Sequence, residues 1–118
     1  MKSIQKGLIT MLLLLSATAM QAQIKNAKTD TVSILGNCGM CQKTIEKAGN
    51  IKNVALVNWN KDTKVASITY DANQTNQDEI LKRIALAGYD SEKNTAPNAA
   101  YKKLSPCCQY DREVKESN

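Results

Sequence analysis

Histidine and phenylalanine are absent from this 118-residue chain, which holds two prolines, one tryptophan and four tyrosines. Without imidazole, a hard or borderline metal ion finds few side-chain ligands, and the balance tips towards ions that bind sulfur. So few aromatics leave no platform for stacked bases, and no nucleic-acid partner is expected. Long apolar runs are missing too. The most apolar stretch, Leu8–Leu15, is well short of the roughly 20 residues that span a bilayer.

What stands at the N-terminus fits an export signal over residues 1–22. Lys2 and Lys6 form a basic start, Leu8–Leu15 an apolar centre, and small residues follow. Cleavage after Ala22 leaves Gln23 first; cleavage after Ala19 satisfies the small-x-small pattern through Ala17. Neither point is followed by cysteine, which disfavours a lipid anchor. A periplasmic or extracellular protein is expected. Losing Lys2 and Lys6 lowers the formal charge from +5 to +3, a balance that selects no partner class. Ninety-six residues then remain, enough for a modest core in one domain.

Four cysteines remain, grouped as Cys38-x-x-Cys41 and the adjacent pair Cys107-Cys108. An oxidising compartment suggests two disulfides, but this grouping looks like metal or redox pairs. Upstream, Val32 and Ile34 alternate with Thr31 and Ser33, so residues 30–36 read as a strand and about 40–49 as a helix ending at Gly49. The Cys-x-x-Cys pair therefore lies where a strand enters a helix, whose free N–H groups and dipole favour thiolate. Two thiolates there form a soft clamp suited to Cu(I).

Two further strands, Val54–Asn60 and Lys64–Tyr70, read as a hairpin about Lys61-Asp62-Thr63. Thr75 or Asn76 can cap a second helix with Ile80, Ile84 and Ala87 on its apolar stripe, and Gly88 ends it. Tyr89–Glu92 opens a short last strand. The order βαββαβ predicts an α+β sandwich with two helices on one face of a four-stranded antiparallel sheet.

Cys38-Gly39-Met40-Cys41, Ile45-Glu46-Lys47-Ala48 and Ala87-Gly88-Tyr89-Asp90 together resemble the heavy-metal-associated domain over residues 30–95. Residues 23–29 then form a linker and 96–118 a tail. The resemblance implies a ferredoxin-like fold and a non-enzymatic carrier that binds one soft ion through Cys38 and Cys41. Cu(I) comes first; Ag(I), Hg(II), Zn(II) and Cd(II) are alternatives. The implied partners are a metal-exporting or metal-importing membrane transporter or another metal-binding protein. A monomer is expected, with a metal-bridged dimer as the variant. The family usually has Gly-Met-Thr before its first cysteine, with the Met under the loop; here Leu35-Gly36-Asn37 stands there. Tyr89 falls where bacterial copper chaperones carry a tyrosine close to the metal loop.

Two other uses of Cys38 and Cys41 stay open: a thiol-disulfide oxidoreductase with Cys38 as nucleophile and Cys41 resolving, and a structural disulfide. A thioredoxin-like fold fits poorly, because Asn37 replaces the usual Trp and no proline lies between the motif and Pro97. Met40 offers a thioether that could ligate. Lys43 and Lys47 share a helix face, solvated and partly paired with Glu46, and Trp59 reads as packing. In the tail, residues 99–104 can form a turn or two of helix, and the last ten residues read as frayed. Vicinal cysteines pair poorly with each other, since their Cα atoms stand about 3.8 Å apart against the usual 5.5–6 Å. Cys107 or Cys108 is therefore expected to add a third thiolate to the ion, if the tail doubles back. A disulfide between tail and clamp, or a tail that binds separately, is the competing outcome.

Overall fold

Residues 24–112 are described in a computed structural model of the protein. The expected export signal at 1–22 and the final residues 113–118 lie outside them.

Alternation along three strands makes one apolar sheet face. In β1 (Ala27–Ser33) Val32 is buried, and Ile34 just beyond it is fully buried, while Thr31 and Ser33 face out. β2 (Ala55–Trp59) and β3 (Val65–Asp71) turn Ala55, Val57, Trp59, Ala66, Ile68 and Tyr70 to the same side. The sheet is antiparallel in the order β1-β3-β2. Pairings such as Val32 with Ala66 and Val57 with Ile68 keep the inward residues in lateral rows. β1 begins at Ala27, three residues inside the stretch that reads as a linker.

Two helices cover this face. α1 (Gly39–Gly49) buries Cys41, Ile45 and Gly49; α2 (Gln77–Leu86) buries Ile80, Leu81, Ile84 and Ala85. Asn76 caps α2, its Oδ1 accepting from the Glu79 N–H at 2.9 Å. Gly88 ends it at φ +111°, backbone that glycine tolerates best. Gly49 acts differently from the expected helix stop: it is the last residue of α1, and a Cβ there would stand 2.5 Å from Val57 Cγ2. Its value is close packing on β2. Glu46 also turns from its expected lysine partners to that strand, accepting from the Trp59 N–H at 3.0 Å. Asn50 accepts from the Val57 N–H at 2.7 Å. The exposed edge of β2 is thus closed by side chains of α1 and the residue after it.

The expected fourth strand is reduced to one bridge, Ile34 with Ser91. Leu35 N–H donates to Asp90 O at 2.8 Å and Glu92 N–H to Ser33 O at 3.1 Å. Pairing stops there because Ser91 and Asn94 close a tight turn, with Ser91 N–H on Asn94 O at 2.8 Å and Asn94 N–H on Ser91 Oγ at 3.0 Å. Among the described residues the architecture is α+β with a three-stranded sheet and three helices, the third being α3 (Asn98–Lys102).

The tail does double back. Arg112 grips the buried Asp90 carboxylate through Nε and Nη2, both at 2.8 Å, and its Nη2 also donates to Ala96 O at 2.7 Å. Tyr110 is buried against Tyr89, ring centroids 5.9 Å apart, and meets the edge of Tyr101 at 5.1 Å. Its hydroxyl accepts from Asp90 N–H at 2.7 Å and donates to Gly88 O at 2.8 Å. Residues 109–112 are therefore docked, where the sequence reads as frayed.

Candidate metal centre

The loop before α1 is pinned from beneath. Ile34 N–H donates to Lys64 O at 2.9 Å, and Ile34 O accepts from Trp59 Nε1 at 2.8 Å. The Trp59 ring lies so close under Gly36 that a Cβ there would come within 2.9 Å of it. Trp59 supports the loop from below. Cys38 then occupies the N-cap of α1, its carbonyl accepting from Gln42 N–H at 3.0 Å. Three positions on, Cys41 falls on the same side of the first turn, and the two sulfurs stand 3.9 Å apart.

The returning tail brings a third sulfur. A short 3₁₀ turn, Pro106–Cys108, buries Cys108 against the core. The sulfurs of Cys38, Cys41 and Cys108 all lie within 4.8 Å of one another. Cys107 points elsewhere: it is exposed, and its sulfur is 3.8 Å from Met40 Sδ and 3.9 Å from Cys108 Sγ. All four cysteines are free thiols, so neither the disulfide within the clamp nor one from tail to clamp is formed.

The trio is electrostatically uneven. Cys38 closes no cap hydrogen bond of its own, yet the amides of Cys41 and Met40 in the first turn lower its thiol from 9.0 to about 7. Cys108 is pushed up to about 12, chiefly by burial and then by Cys41 beside it. The Tyr89 hydroxyl is buried with no hydrogen-bond partner. Burial first, then the neighbouring Cys108 and Cys41 thiols, hold its ionisation well above the usual range. A buried phenol O–H facing sulfur is a donor waiting for an anionic acceptor.

These residues fit a soft ion. Bonds of about 2.3 Å to sulfur place neighbouring sulfurs about 3.8–4.0 Å apart at tetrahedral to trigonal angles, close to the 3.9 Å between Cys38 and Cys41. The widest separation in the trio, no more than 4.8 Å, closes with a shift of under about 1 Å.

A solved structure shares the fold. A CopZ metallochaperone superposes with a TM-score of 0.51 at 23% identity, over 54% of this chain and 98% of that one. No protein-family model matches the sequence, and no curated protein matches it. The shared fold is thus about half of the present chain.

Sequence reasoning missed the residues that aim the tail. Asp90, Tyr110 and Arg112 contribute no sulfur, yet they set the direction in which Cys108 arrives. A signal was present: three of the four tyrosines, at 89, 101 and 110, crowd into this region of a chain otherwise poor in aromatics.

Proposed function

We propose that the protein is a metal carrier that holds a soft thiophilic ion, Cu(I) foremost, between Cys38, Cys41 and Cys108. The observation that carries this reading is the convergence of three free thiols within 4.8 Å beneath an unpartnered tyrosine hydroxyl. The metallochaperone fold of the superposed structure supports it, as does the lack of histidine for borderline ions. Ag(I) and Hg(II) share the preference for few, soft ligands; Zn(II) and Cd(II) would want a fourth.

Transfer proceeds by ligand exchange. Cys41 and Cys108 are buried while Cys38 is half-exposed, so an incoming thiolate joins at Cys38 before an old bond breaks. The Tyr89 hydroxyl donates to the thiolates it faces and stabilises their charge. A third sulfur slows release, which suits retention or controlled hand-over to a transporter or a second metal-binding protein. Residues 1–22 support export, and N-terminal sequencing of the cellular protein tests it: a chain starting at Met20 or Gln23 agrees, an intact Met1 does not.

Competition against a Cu(I) chelator under anaerobic conditions tests the site. The Cys38→Ser/Cys41→Ser variant should lose tight binding. Cys108→Ser should keep two-sulfur binding but weaken it by about tenfold or more, each tenfold being 1.4 kcal/mol. X-ray absorption should count three sulfurs in the parent and two in Cys108→Ser. Unchanged affinity in all variants would refute the assignment. One observation favours a second reading: the Cys38 thiol, lowered to about 7, stands 3.9 Å from Cys41, as in a redox pair. Multiple turnovers on a disulfide substrate would select the oxidoreductase.

A further inference from the structure

The sulfurs do not stop at the trio. Cys107 lies outside it, exposed, with its sulfur 3.8 Å from Met40 Sδ and 3.9 Å from Cys108 Sγ. Met40 is 53% exposed and brings its thioether to 3.8 Å from that thiol.

Both residues are held in place. The Cys107 carbonyl accepts from Asn37 Nδ2 of the site loop at 3.2 Å, and the turn around it is closed by Cys108 N–H on Ser105 O at 2.8 Å. Met40 stands in the first turn of α1, its carbonyl accepting from Thr44 Oγ1 at 3.1 Å. The two separations match those expected between sulfurs on one soft ion, about 3.8–4.0 Å. A thiolate has lone pairs enough to bridge two such ions.

We propose that Cys107 and Met40, with Cys108 as the bridging sulfur, form a second, outer soft-ion site on the surface above the inner trio. The proposal rests on the inner trio being a metal site, since Cys108 belongs to both. Cys107 binds as thiolate, its proton passing to solvent; the thioether of Met40 binds neutral, without proton loss. A neutral thioether and an exposed position make the outer ion the weaker of the two. The combination favours Cu(I) or Ag(I) and rejects hard cations, which gain little from thioether sulfur. An ion arriving at the surface then has a first resting place one bridging sulfur away from the buried site.

Anaerobic titration with Cu(I) alone, read by native mass spectrometry and by competition with chelators of graded strength, tests this. The parent protein should take up two ions, the second held more weakly. Cys107→Ser and Met40→Leu should each take up one, with the first ion's affinity within about threefold of the parent. Both side chains are exposed, so neither change threatens the fold. A parent that binds a single ion overturns the outer site while leaving the inner trio standing; a parent that binds none removes both. Two ions in Met40→Leu, or two in Cys107→Ser, overturn the assignment of that ligand and with it the outer site.

Discussion

Two of the three inner cysteines are tuned by their own surroundings, and the tuning is measurable. Cys38 meets open amides and ionises at about 7, whereas burial holds Cys108 up at about 12. In the metal-free protein, alkylation by iodoacetamide should rise with pH through a midpoint near 7 and label Cys38, because only thiolate reacts. Cys108 should stay unlabelled over the same range, as mapped by peptide mass spectrometry. The two shifts also pull stability in opposite directions. Above about 7 the folded Cys38 sheds its proton before the unfolded thiol does at 9.0, so its contribution grows with pH and is lost on acidification. Above 9.0 an unfolded Cys108 ionises while the folded one does not, so alkaline solution favours unfolding.

Elements position these residues through close approaches that tolerate little added volume. α1 sits on β2 through Gly49, where a Cβ would lie 2.5 Å from Val57 Cγ2. Gly49→Ala should therefore destabilise by about 1–3 kcal/mol despite alanine's better helix propensity, as chemical denaturation would show. Val57→Ala should recover part of that loss in the double variant, because it removes the obstructing methyl groups. The strand-to-helix entry of Cys38 and Cys41 was legible in the sequence, since period-two alternation ending in a glycine-containing loop and a period-3.6 stripe mark such junctions. So were the hairpin and the cap at Asn76. The last strand was over-read: Tyr89 to Glu92 has strand-like pairing at Ile34, but the hydroxyl of Ser91 and the carbonyl of Asn94 capture the chain into a turn. Gly49 reads as a stop in the sequence because the clash that requires it involves a side chain on a separate strand.

For the molecule as a whole, the decisive contacts join segments that carry no periodic signal. The return of the tail depends on one guanidinium meeting one carboxylate, Arg112 with Asp90, and on Tyr110 bonding both Gly88 O and Asp90 N–H. Local pattern cannot show such pairings across 22 positions; vicinal cysteines could suggest only that the tail had reason to return. The same contacts decide how the tail is best probed. Truncation before Pro106 removes Cys108 and also leaves the Asp90 carboxylate buried without its guanidinium, a loss of about 3–5 kcal/mol for a buried pair. Cys108→Ser separates sulfur from structure.

Cys38 and Cys108 stand 70 positions apart in the chain, and an ion bonded to both would join them as a cross-link. Such a link restricts the unfolded ensemble far more than the folded one, as a disulfide does. For a loop of this length the entropic effect is about 4 kcal/mol on the chain-entropy scale. Cargo and staple would then be the same object. Loading with Cu(I) should raise the thermal midpoint and slow proteolysis of residues 96–112, and Cys108→Ser should lose most of both effects while still binding an ion at Cys38 and Cys41. If the ion is given up, the chain that held it would loosen, so release would carry a built-in mark of the empty state, open to proteolysis.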